Sequence, residues 1–184
     1  WSAQEPATSA MAMAKLRCRL LLMTSAKTLA ICAMALESWS WMMKMNKGQE
    51  NLRIALRDNL KMKFYKVDGK GGTPNLHYLG KGDWPTGWME IIHLEDWGKR
   101  VTTGLRLEQA KWMQDYIDSG GSAWVVVRVG IATCLFWGEC AASLLDRPSP
   151  KRFMEMATWS KNGNLSKEEW KHVENMILNA NSVY

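Results

Sequence analysis

GTPNLHYLGKGDWPTGWMEII, residues 72 to 92, is the stretch that decides how this chain folds. Its first half alternates: Leu76 and Tyr78 fall on one face of an extended segment, and Asn75, His77 and Leu79 on the other. DWPTG reads as a turn, and GWMEIIHL as a second, more apolar strand. The two polar residues that interrupt this pattern, Asn75 and Glu90, stand near the start of one strand and in the middle of the next.

Working outward, NKGQENLRIALRDNLKMK places Leu52, Ala55, Leu56 and Leu60 at helical spacing, with Asn46 as its N-cap. FYKV is a short strand ended by the turn DGKGG. LRLEQAKWMQDYIDSGG is an amphipathic helix with Leu107, Ala110, Met113 and Ile117 inward, stopped by Gly120 and Gly121. SAWVVVRVG is a continuous apolar strand, as expected where both sheet faces are covered. ATCLFWG makes a fifth strand, ECAASLL a short helix, and SKEEWKHVENMIL a last helix with Ser166 and Glu169 at capping-box spacing. The class is α/β, with a central mixed five-stranded sheet flanked by helices.

Of the 184 residues, 47% are hydrophobic and 23% charged, which suits one globular domain and excludes wholesale disorder. The formal charge of +6 favours an anionic partner. Cys18, Cys32, Cys134 and Cys140 show no metal-ligand spacing and read as reduced thiols of a cytosolic protein. The apolar run from Leu20 to Leu36 is broken by Lys27 and by hydroxyl residues, so no membrane span is expected. Residues 1–44 read as a non-core extension: upstream translated sequence, an ordered helical addition or a targeting segment. The core is expected over 45–146, followed by a helical extension over 147–184.

GTPNL, GWMEII, WGKR, RLEQAKW and GGSAWVVVRVG, in that order, resemble the PD-(D/E)XK nuclease superfamily, in particular its small phage-borne VRR-type and Holliday-junction-resolvase-like members. The resemblance implies a restriction-endonuclease-like core and metal-dependent hydrolysis of phosphodiester bonds in DNA. In that family two acids on neighbouring strands converge on Mg²⁺ or Mn²⁺, which polarises the phosphate and activates water. A lysine two residues after the second acid shares its strand face and stabilises developing charge. Carried over, Glu90 matches the second acid, the Ile91 carbonyl a further metal ligand, and Gln109 the glutamine at the rim of the site. Asn75 stands where the first acid belongs and Ile92 where the lysine belongs, so catalysis is expected to be weakened or silenced. Glu50 is the looser match to an extra acid on the first helix.

Lys99, Arg100 and Arg106 are the expected DNA contacts, with Trp84 and Trp97 available to stack on unpaired bases. The bland readings stand beside these: a surface carboxylate for Glu90, a solvated pair for Lys99 and Arg100, packing groups for the tryptophans. The expected partner is DNA, branched or partly single-stranded, in the cytoplasm (the host's, for a phage product), with homodimerisation left open. The alternative is a non-catalytic DNA-binding or phage interaction module on the same scaffold.

Overall fold

The computed structural model describes residues 47–68, 72–80 and 86–180. The expectations for residues 1–44, the Asn46 cap and Trp84 lie outside these. Helix α1 (Lys47–Asn59) leads into strands β1 (Lys63–Lys66), β2 (Leu76–Leu79) and β3 (Thr86–Leu94). Helix α2 (Leu107–Asp118) crosses to β4 (Ser122–Val129), and β5 (Ala132–Trp137) follows. Then come the short α3 (Ala141–Leu144), α4 (Pro150–Met156), β6 (Trp159–Lys161) and α5 (Lys167–Leu178).

The strands form one mixed sheet in the order β1-β2-β3-β4-β5-β6. Only β3 and β4 run parallel; the other neighbours are antiparallel. A parallel pair needs a crossover, and α2 supplies it. The sheet therefore has six strands rather than the expected five. The addition, β6, pairs through only three residues, Thr133 with Lys161 to Leu135 with Trp159, too short for an alternation to show in sequence. The segment read as a helical extension thus also carries a sheet strand, and its Phe153 is fully buried in the core.

β4 is buried almost throughout, as a strand covered on both faces should be. One face carries Ile92, Val125, Val127 and Phe136, packed with Val101, Leu105, Ala110 and Met113 beneath α2. On the other, α1 lies over β3 and is joined by α5. There Glu174 accepts a hydrogen bond from the Lys61 backbone. The helix readings hold at their caps: Ser166 and Glu169 bond each other's backbone N–H at 3.2 and 2.8 Å. Gly120 closes α2 with a positive φ of 85°, its N–H bonded to the Ile117 carbonyl.

One inward residue was misplaced. Leu107, the first residue of α2, is 55% exposed. Gln109, polar and only 4% exposed, points inward instead, because it has a carboxylate to meet. Among the described residues, no helix is long and apolar enough to cross a membrane.

Candidate functional site

The β2–β3 register pairs Leu76 with Met89, which sets Asn75 opposite Glu90 one step further along. The two side chains share a face and meet. The backbone N–H of Asn75 donates to Glu90 Oε2 at 2.8 Å, and its Nδ2 donates to Glu90 Oε1 at 3.0 Å. The same amide brackets the next residue of β3. Nδ2 also donates to the Ile91 carbonyl at 3.0 Å, while Oδ1 accepts the Ile91 N–H at 3.0 Å. Four hydrogen bonds tie this one residue to β3, and the Ile91 N–H fixes the amide orientation, since a flipped amide would set N–H against N–H.

Two glutamines complete the shell. Gln109 Oε1 accepts the Arg106 N–H at 3.1 Å and Arg106 Nε at 3.3 Å, capping α2 from within. The rest of its amide hydrogen-bonds Glu90. From α1, Gln49 Nε2 donates to the Ile91 carbonyl at 3.2 Å. α1 can approach β3 this closely because residue 48 is glycine; a Cβ there would collide with the His93 ring.

Glu90 is 7% exposed. Burial raises its pKa to about 7, partly offset by the hydrogen bonds from Asn75 and Gln109 and by the charge of Arg106. An acid whose folded pKa lies above its usual 4.5 costs stability as pH rises through that window, because the folded state must surrender a proton it holds more tightly. The full cost above neutrality is about 3 kcal/mol. Urea unfolding of the wild type should therefore lose ground to Glu90→Gln between pH 4.5 and pH 8 by up to about that amount. An unchanged difference across the range would mean that Glu90 titrates as it does in water.

The expected site residues divide. Asn75, Glu90, the Ile91 backbone, Gln109 and Arg106 come together. Ile92 shares the face of Glu90 but is only 4% exposed and belongs to the apolar core. Glu50 does not join: its carboxylate is taken by Arg53 on the same helix, which holds its pKa down. The α1 residue at the site is Gln49, which the sequence reading passed over. Its signal was present, because Gln49 lies three and seven residues before Leu52 and Leu56, on the buried stripe.

Lys99 and Arg100 are exposed beyond the end of β3, and Val101 N–H ties their loop to the Pro148 carbonyl at 2.9 Å. Trp97 is 37% exposed and packs edge-on against Phe153, with ring centroids 5.9 Å apart. Another aromatic group lies closer to Glu90. Tyr65, His77, Trp88, Trp112 and Tyr116 form a continuous row at centroid spacings of 6.4, 4.7, 5.3 and 5.1 Å. His77 and Trp88 are cross-strand partners, two residues from Asn75 and Glu90 and so on their face.

A divalent cation does not fit these donors. It would need the oxygens of Glu90, Ile91 and residue 75 turned toward one point, and the Asn75 amide instead presents N–H to the other two. Among the described residues, no group of three or more His, Cys, Asp or Glu side chains could hold a metal ion. What remains is a neutral and cationic donor shell around one buried carboxylate. No protein-family model matches the chain, and no curated protein matches it.

Proposed function

We propose that this chain is a nuclease-like DNA-binding domain with a restriction-endonuclease-like core from α1 to β4, and that it binds DNA without hydrolysing it. The observation that carries this reading is the Asn75 amide: its Nδ2 lies within 3.0 Å of both Glu90 Oε1 and the Ile91 carbonyl, the two oxygens a catalytic cation would use. The order helix, three-strand meander, crossover helix, parallel strand agrees with the fold that the sequence resemblance implies. With Ile92 where the resembled family carries lysine, the cation two residues after Glu90 is missing, and the cation that is present, Arg106, is engaged by Gln109.

The net charge of +6 and the exposed Lys99 and Arg100 support an anionic, extended partner. The aromatic row beside Glu90, half-buried apart from the exposed Tyr65, favours DNA with unpaired bases, since every base offers a ring face for stacking. The test is a paired assay on branched, single-stranded and linear DNA in Mg²⁺ and in Mn²⁺. Binding should weaken steeply with salt, and no substrate should be cut. Cleavage abolished by Glu90→Gln would return the chain to the active nucleases. Absence of binding at low salt would remove DNA as the partner and favour a protein-interaction module.

A further inference from the structure

We propose that the cleft between the β3–α2 loop and α4 is a phosphate site, built to hold a phosphodiester group of the DNA backbone. The inference rests on the DNA-binding reading above and gives it a location. The cleft has a volume of about 590 Å³ and is lined by Lys99 and Arg100 from the loop, Ser143 and Asp146 around α3, and Ser149 and Arg152 at α4. Three cations thus face one acid, with two hydroxyls among them. Lys99 and Arg100 alone read from sequence as a solvated pair. Arg152, some fifty residues later, is what turns them into three sides of a pocket.

The loop geometry holds one of the three side chains, Arg100, in place. Arg100 Nη1 donates to the Arg147 carbonyl at 3.3 Å, and the Val101 N–H is bonded to Pro148. Arg147 holds a positive φ of 50°, the one non-glycine residue among those described to do so. That conformation costs roughly 1 kcal/mol or more and persists only where the surroundings impose it. Here it aims the carbonyl that positions Arg100. Arg152 has only a loose competitor, Glu155 at 3.8 Å, with both side chains largely exposed. A phosphate oxygen offers its guanidinium a stronger, charge-assisted partner.

The experiment is fluorescence anisotropy with a labelled branched DNA across a salt series. It compares the wild type, the triple variant Lys99→Ala/Arg100→Ala/Arg152→Ala, the single variant Arg152→Glu, and Arg57→Ala. Arg57 is an exposed α1 cation paired with Asp58, and serves as a charge control outside the cleft. Each lost phosphate contact should lower the slope of log K against log salt by about 0.9. The triple variant should lose two or more such contacts and bind at least about tenfold more weakly at low salt. Arg152→Glu should move the slope in the same direction, and Arg57→Ala should leave it alone. Thermal melts of all four proteins confirm that the variants are folded. A triple variant with the wild-type slope would overturn the cleft as the phosphate site while leaving DNA binding intact. A wild type that binds nothing at the lowest salt would overturn both.

Discussion

Replacing Asn75 by Asp together with Ile92 by Lys should give the protein Mg²⁺-dependent cleavage of DNA at least about a hundredfold above the wild type. The change exchanges the Nδ2 donor for a charged oxygen at the point where Glu90 Oε1 and the Ile91 carbonyl already converge. It also places a cation two residues beyond Glu90 on the same strand face. Ile92 is packed among Val101, Leu105, Val125 and Val127, so the lysine stem must lie along that apolar wall with its ammonium reaching toward Glu90. Affinity for DNA should move by less than about threefold, because phosphate contacts set it and these are untouched. Asn75→Asp alone should bind metal yet cleave poorly, and Ile92→Lys alone should do neither. A double variant that folds, binds DNA and stays inert would show that more than these two groups separates the site from catalysis.

Glu90→Ala should lower stability by about 3 kcal/mol in urea unfolding at pH 4.5, below the window in which ionising this group costs the wild type stability. Three donors converge on this carboxylate: the Asn75 backbone N–H, the Asn75 amide and the Gln109 amide. Truncation takes this acceptor from the Asn75 backbone N–H and the Gln109 amide, at about 1–3 kcal/mol for each unsatisfied group, while the Asn75 amide keeps the Ile91 carbonyl. The sign separates two views of Glu90. A catalytic acid kept for chemistry is often a strained group whose removal stabilises the fold. A carboxylate acting as the keystone between β2, β3 and α2 is costly to remove. An increase in stability, or a loss well under 1 kcal/mol, would favour the first view.

The β2–β3 hairpin was legible because alternation is a property of consecutive residues: Leu76 and Tyr78 are buried and His77 and Leu79 half-buried, as the spacing required. Glu90 was legible as a polar position in an otherwise apolar strand, whereas Gln109 came only from the motif resemblance and was not expected on the buried side. The choice between Gln49 and Glu50 turned on one residue of helical phase, about 100° around the axis. It was decided by the side that Leu52 and Leu56 bury. The motif comparison favoured the acid, but the hydrophobic stripe carried the better information. Leu107 was misjudged for a related reason. A helix's first turn can leave the stripe when a polar residue, here Gln109, has a stronger claim on the interior.

What the sequence could not contain is the closing of distant segments on one another. β6 is three residues long, and its pairing with β5 runs only from Thr133 to Leu135, too short to leave a local signal. The cleft joins residues 99–100 to residues 143–152, a relation that exists only once the loop is tied to Pro148. That position 75 carries an uncharged amide was visible in the sequence. That its amide turns N–H toward the two remaining oxygens is a matter of geometry.

That geometry is most directly tested by thermal melts of the wild type and Asn75→Asp, each in EDTA and in millimolar Mn²⁺. The wild-type Tm should be the same in both, because the amide holds the cation's place. Asn75→Asp sets two carboxylates against each other, so its Tm should fall by about 5 °C in EDTA and recover as Mn²⁺ is added. A saturable, Mn²⁺-dependent rise in the wild-type Tm that Glu90→Gln removes would contradict the account, because Asn75 would then be a metal ligand rather than a substitute for the metal.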